Sequence, residues 1–217
     1  MADAVALSAH ATRLGCPAVL FIPPFYFGQP SEAGVARSVD ELIAGVGDKR
    51  LRVILYHIPQ LSRVAFGFGA ITQIVQRHPQ QVVGIKDSTG DRLHSLRLVQ
   101  GFPALSVLVG NELDIVRNNE AGGAGSICGL ANLAPRLLRR IVSAKGRLER
   151  ADQEAMEQLL ALIGDDHFLP VFKVAMAERH GDDGWLNMRS PMMPPGAARA
   201  TEIRERYRNI ANRFADL

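Results

Sequence analysis

Cysteine is scarce in this chain, and the two present, Cys16 and Cys128, stand far apart in apolar surroundings, outside any Cys-x-x-Cys or Cys/His ligand spacing. That excludes a disulfide framework and a zinc site, and it leads us to expect a reduced, cytoplasmic setting. Charge of one sign never gathers into a block. The 25 Lys and Arg are interspersed with 22 Asp and Glu for a net +3, so no nucleic-acid footprint stands out and no polyanion partner is expected. No apolar run approaches the roughly 20 residues that cross a bilayer, and the first ten residues carry no basic stretch ahead of an apolar core, so no membrane partner is expected either. The glycines at 122, 123 and 125 lack the Gly-Lys-Ser/Thr of a phosphate loop. His180, Asp182 and Asp183 are flanked by glycine and read as a solvated turn rather than a metal site.

What the chain does have is hydrophobic content, 47% of 217 residues, enough for one large domain or two small ones. Short β-branched runs alternate with helical periodicities. Helical spacing of Ala4, Leu7, Ala11 and Leu14 opens the chain, and strands are expected over 18–22, 51–55, 82–85, 105–109 and 124–128. Between them, Ser31 and Asp91 suit helix N-caps, the first ahead of Val35, Val39, Leu42 and Ile43, the second ahead of Leu93, Leu96, Leu98 and Val99. Beyond Pro135 only helical spacing remains, through Leu137, Leu138 and Ile141, then Met156, Leu159 and Ile163, then 168–176, then Ile203, Tyr207, Ile210 and Phe214. Strand-helix alternation predicts an α/β fold with a parallel sheet, whose chemistry gathers at the C-terminal strand ends.

One of those ends is unusual. The apolar run Val82-Val83-Gly84-Ile85 stops on Lys86. A desolvated amine loses its preference for the charged form and becomes a nucleophile toward ketones, whereas a lysine pairing with Asp87 or reaching into solvent does nothing of the kind. Tyr26 and Tyr56 follow the two preceding strands, and a glycine-lined rim follows the last, so two phenols and an amine converge on one edge. His57, next to Tyr56, suits either substrate tuning or packing.

Four motifs in order carry a resemblance: Pro23-Pro24-Phe25-Tyr26-Phe27-Gly28-Gln29-Pro30, Leu55-Tyr56-His57-Ile58-Pro59, Gly84-Ile85-Lys86-Asp87-Ser88-Thr89-Gly90-Asp91, and Gly122-Gly123-Ala124-Gly125-Ser126-Ile127 with Ala131-Asn132 downstream. Together they resemble the Schiff-base pyruvate lyases, the family of dihydrodipicolinate synthase, N-acetylneuraminate lyase and the 2-keto-3-deoxy sugar acid aldolases. The resemblance implies the (β/α)8 TIM-barrel fold, here about five βα units plus C-terminal helices, an incomplete barrel divided as 1–133 and 134–217. It implies a lyase or aldolase acting on pyruvate or another small-molecule keto acid, without a cofactor, in a homo-oligomer, a dimer or tetramer. By position, Lys86 would form the imine, Tyr56 would shuttle protons, and Tyr26 would complete the relay in a neighbouring subunit. Ser88, Gly110, Glu112 and Ile127 would line the substrate pocket.

Two departures qualify what the resemblance implies. The arginine with which dihydrodipicolinate synthase holds a second carboxylate, five positions after its strand-end tyrosine, is Leu61 here, with Arg63 close by. No counterpart of the family's Gly-Thr-Thr-Gly-Glu carboxylate-binding segment is found, and five strands are read where a barrel has eight. The sequence therefore reads as an N-terminally truncated member with impaired catalysis, or alternatively as a non-catalytic module pairing through open sheet edges with another chain.

Overall fold

The computed structural model describes residues 1–144, 148–214 and 217. These form two compact units, Met1–Ser126 and Ile127–Leu217. In the first, the elements run α1 (Ala2–Arg13), β1 (Val19–Phe21), α2 (Glu32–Val46), β2 (Val53–His57), α3 (Pro59–Ser62), α4 (Phe68–Arg77), β3 (Val82–Asp87), α5 (Arg92–Gly101), β4 (Ser106–Val109), α6 (Ile115–Glu120) and β5 (Gly125–Ser126). All neighbouring strands pair in parallel, as the alternation predicts, and the order β1-β2-β3-β4-β5 sets each strand beside its sequence neighbour, as the resemblance to a barrel implies. The expected fifth strand is only two residues long.

The caps behave as the sequence suggests. Ser31 accepts the Gly34 N–H at 3.2 Å to start α2, and the Asp91 carboxylate accepts the N–H groups of Leu93 and His94 to start α5. One face of the sheet is apolar and packs under the helices: Leu55, Ile85 and Val107 from the strands join Leu42, Ile71, Ile74 and Leu98 in one core cluster. Fully burying each of these side chains is worth about 2 kcal/mol. The one-turn helix α3, with Pro59 at its start and Arg63 left-handed at its end, is absent from the sequence expectation. On α5 the expected Leu98 is buried, but its buried partner is Ser95, which was not expected, while Leu93 is 69% exposed. Periodicity of apolar residues misses this because Ser95 turns inward for a hydrogen bond, not for burial of carbon.

The register between β2 and β3 slips once. Val53 faces Val82, but Ile54 faces Gly84, leaving Val83 as an extra residue. Continuing the first pairing would set Tyr56 beside Ile85; the bulge sets Tyr56 beside Lys86 and His57 beside Asp87. Gly84 fits there because a Cβ would stand 2.6 Å from the Ser106 carbonyl oxygen of β4.

The second unit is helical: α7 (Pro135–Ser143), α8 (Arg150–Leu160), α9 (Phe168–His180) and α10 (Ala197–Arg213). Leu137, Leu138 and Ile141 are buried on α7, Val171, Val174 and Ala175 on α9, and Ile203, Tyr207 and Ile210 on α10. The Arg179 guanidinium donates to the Leu133 carbonyl. Asp182 caps a turn through Gly184 N–H, and Asp183 pairs with Arg204. Among the described residues, no helix is long and apolar enough to cross a membrane.

Candidate functional site

Alternation along β2 and β3 gives their C-terminal ends two faces. Tyr56 and Lys86 stand on the face away from the helices, and the Lys86 Nζ lies over the Tyr56 ring, 4.1 Å from its centroid. Both are half-buried, so the lysine is more open than a fully buried nucleophile. An ammonium over a phenol ring gains about 0.5–1 kcal/mol at such an exposed position, and the contact holds the amine at the mouth of the strand edge.

The other residues singled out from the sequence fall as follows. Tyr26 sits in the loop after β1, 88% exposed, its ring edge-on to Phe27 at 5.1 Å. With Phe25 and Phe27 it lines an apolar cavity of about 490 Å³ beside β1. Ser88 follows directly from β3; its N–H donates to the His57 carbonyl at 2.9 Å, and its own carbonyl accepts from the Gln60 amide. Gly110 continues β4 and donates its N–H to the Asp87 carbonyl at 2.8 Å; a Cβ there would lie 2.2 Å from Ser88 Oγ. Glu112 is half-buried in the short turn of 3-10 helix that follows. The structure thus brings Tyr56, Lys86, Ser88 and Gly110 to adjoining strand ends. Ile127 is the first residue of the second unit.

On the helix side of the same two strand ends lies a polar cluster that sequence reasoning did not assemble. Asp87 does not pair with Lys86. It points the opposite way, 2% exposed, where its Oδ2 accepts from His94 Nδ1 at 2.9 Å and Ser95 Oγ at 2.7 Å, and its Oδ1 from the Thr89 N–H and Oγ1 at 3.0 and 2.8 Å. Burial opposes ionisation, but these hydrogen bonds from His94, Ser95 and Thr89 outweigh it and hold the carboxyl below its ordinary range. An ionised carboxylate only accepts, so His94 donates from Nδ1. His57 is buried beside it, its Nδ1 accepting the Phe66 N–H at 3.1 Å, its ring stacked on that of His94 with centroids 4.6 Å apart. Desolvation first, then the neighbouring His94, push the His57 imidazole down to about 4 from an ordinary 6.5, against the pull of Asp87. The signal that could have found this cluster is the spacing Asp91-x-x-His94-Ser95: a cap at Asp91 sets both residues on the first turn of α5, facing the end of β3.

His57, Asp87 and His94 place ligand-type atoms within 4.8 Å of one another, close enough to test for a metal site. The fit is poor. The two imidazoles are stacked at an interplanar angle of 16°, so their in-plane lone pairs run side by side instead of converging. His57 Nδ1 and both oxygens of Asp87 are already engaged. The cluster is a hydrogen-bond network.

A parallel βα repeat with Tyr56 and Lys86 at its C-terminal strand ends defines an α/β protein of the barrel-forming type. The chain belongs to the dihydrodipicolinate synthetase family, whose model matches residues 1–209. It is 32% identical over 212 residues to a DapA-like lyase of Chloroflexus aurantiacus, covering 97% of this chain and 70% of that one. It is 31% identical over 137 residues to the 4-hydroxy-tetrahydrodipicolinate synthase of Rhizobium meliloti, covering 62% of this chain and 45% of that enzyme. The fold superposes on the crystal structure of dihydrodipicolinate synthase from Agrobacterium tumefaciens with a TM-score of 0.85 at 26% identity, over 96% of this chain and 71% of that one.

Proposed function

We propose that this chain carries the chemistry of a lysine-dependent lyase acting on pyruvate or a 2-keto-3-deoxy acid, with Lys86 as the nucleophile. The observation that carries the reading is the pairing of Lys86 with Tyr56, amine over ring at 4.1 Å, on adjacent strand ends. The neutral amine attacks the keto carbon, and the carbonyl oxygen takes a proton to give a carbinolamine. Loss of water leaves an iminium, an electron sink into which the pair from a neighbouring C–H or C–C bond collapses to form an enamine. Tyr56 would carry protons in these steps, and a phenol does so near neutral pH only with help from its neighbours. Ser88, Gly110 and Glu112 would flank the bound keto acid. Leu61, 73% exposed, offers nothing to a second carboxylate, which favours monocarboxylate keto acids.

Incubation with pyruvate and borohydride, followed by peptide mass mapping, tests this: the reduced adduct is expected on Lys86. It should disappear in Lys86→Ala and form about 100-fold more slowly in Tyr56→Phe. A folded wild-type sample with Lys86 unmodified overturns the reading.

A second reading, pairing of this chain with another through the loop after β1, is favoured by the exposure of Tyr26 and Phe27, 88% and 90%, around the apolar cavity. Light scattering decides it: a strict monomer, unchanged by Phe27→Ser, counts against pairing.

A further inference from the structure

The polar cluster behind β2 and β3 touches none of the atoms that the lyase reading sets in motion, yet it is built directly onto the peptide units that carry them. Asp87 is bonded to Lys86, and His57 to Tyr56. The apolar core under the sheet stops at Leu55 and Ile85, and the next residue on that face of each strand is polar and buried, His57 at 4% and Asp87 at 2% exposure. A core position filled by a carboxylate is costly unless every acceptor is satisfied, and here four donors from three residues satisfy it. Two of these, His94 and Ser95, come from α5, so the carboxylate ties the end of β3 to the first turn of that helix. Thr89 in the intervening loop closes the link, and its Oγ1 accepts in turn from the Asp91 N–H at 3.1 Å.

We propose that Asp87 and His94 are positioning residues for Lys86: the carboxylate-imidazole pair fixes the end of β3 against α5, so that the amine one residue away is held over Tyr56. The proposal rests on the Lys86 reading and extends it to residues on the opposite side of the sheet. The geometry supports it in three ways. The bulge at Val83 brings Tyr56 beside Lys86 and, by the same step, His57 beside Asp87, so the reactive pair and the buried pair share one register. His94 is fixed from several sides, by Asp87 through Nδ1, by the stacked His57 ring at 4.6 Å and by Phe68 edge-on at 5.7 Å. The titratable groups of the cluster are His57, Asp87 and His94, with Asp91 at the cap of α5, and among their side chains Asp87 and Asp91 are the carboxylates.

Removing the His94 donor leaves Asp87 Oδ2 tied to α5 through Ser95 alone, which loosens the end of β3 that carries Lys86. His94→Leu removes the donor; His94→Asn keeps one, because the amide nitrogen takes the place of Nδ1. The experiment compares wild type, His94→Leu, His94→Asn and Ser95→Ala in two measurements. The first is competitive acetylation of Lys86 against the exposed Lys49 from pH 6 to 10. The second is pyruvate-borohydride trapping at increasing pyruvate.

For His94→Leu, the expected result is a Lys86:Lys49 labelling ratio about tenfold lower near pH 8 and a saturating trapping rate about tenfold lower at unchanged half-saturation. His94→Asn should return both within about twofold. If His94→Leu does not fold, Ser95→Ala, which removes one donor to the same oxygen, is expected to shift the ratio about threefold in the same direction. A folded His94→Leu or Ser95→Ala with wild-type labelling overturns the proposal, as does a His94→Asn no better than His94→Leu. The two readings separate cleanly: labelling that depends on His94 without pyruvate trapping leaves the positioning role and removes the lyase reading, and trapping indifferent to His94 does the reverse.

Discussion

The two faces of β2 and β3 at their C-terminal ends differ in how their polar groups are held. On one, Tyr56 and Lys86 are half-buried and share a single ring-amine contact. On the other, one residue further along each strand, His57 and Asp87 are enclosed, His57 accepting from the Phe66 N–H and Asp87 multiply hydrogen-bonded. On the lyase reading proposed above, a reacting group keeps its valences for the substrate and is left loosely held, and the rigidity it needs would come from the neighbour that faces the core. The comparison yields a prediction with opposite outcomes on the two faces. Asp87→Ala, which leaves His94, Ser95 and Thr89 donors without their acceptor, is expected to cost about 3 kcal/mol, seen as a lower denaturation midpoint at unchanged slope. Lys86→Ala, which removes the proposed nucleophile, should move the same midpoint by less than about 1 kcal/mol. Equal losses of stability on the two faces would break the distinction.

Acid sharpens it further. The folded His57 imidazole is pushed down to about 4, while in the unfolded chain it titrates near its ordinary 6.5. As pH falls through that window the unfolded state gains a proton that the folded state refuses, so stability declines on acidification, by roughly 3 kcal/mol if the whole shift is expressed. Asp87 acts in the same sense at lower pH. Its folded carboxyl is held below the unfolded value, and the stability this gives above the unfolded range is lost as pH falls through the folded one. His57→Asn keeps an acceptor for the Phe66 N–H and removes the titration. Urea unfolding between pH 7 and 4.5 should then show a visibly shallower decline than wild type, and an identical decline would place the acid sensitivity elsewhere.

How much of this was legible in the sequence depends on what each feature is made of. The parallel sheet and the caps at Ser31 and Asp91 follow from apolar period and local hydrogen-bonding chemistry, which a single chain displays, whereas the strand order was implied only by the resemblance to a barrel family. The neighbouring positions of Tyr56 and Lys86 followed from both standing at strand ends, but their direct alignment depends on the extra residue at Val83, and a run of Val-Val-Gly-Ile gives no sign of where pairing slips. The buried Asp87 network was hidden for another reason. Its members lie on two strands and a helix, and each alone is an ordinary polar residue; only the fold reveals that Ser95, not Leu93, faces inward.

The bulge also offers a smaller test. Gly84 and Gly110 both have a neighbour where a Cβ would go, but the neighbours differ. At Gly84 it is a backbone oxygen at 2.6 Å in the paired strand, which cannot move without the sheet. At Gly110 it is Ser88, whose Oγ would be 2.2 Å away and whose Cβ would be 3.0 Å away, at the candidate site. Gly84→Ala is expected to destabilise by about 2–3 kcal/mol, and Gly110→Ala by about 1 kcal/mol while slowing pyruvate trapping through the displaced Ser88. Thermal unfolding and trapping measured together separate the two, and a Gly110→Ala variant with wild-type trapping would remove Ser88 from the site.

The smallest expected effect is the control for the whole comparison. Arg37 and Glu41 on α2 meet at 2.9 Å, the same separation as His94 and Asp87, but their side chains are 78% and 47% exposed where those of His94 and Asp87 are 15% and 0%. If distance set the worth of a charged pair, Arg37→Ala would cost as much as breaking the buried one. Water screens an exposed pair, and ordering two long side chains takes back most of the gain, so a change within about 0.5 kcal/mol is expected by urea unfolding, reduced further by added salt. A loss above about 1 kcal/mol would mean that enclosure is not what distinguishes the back of the sheet from its surface, and the weight placed on the burial of Asp87 would have to shift to the number of its donors.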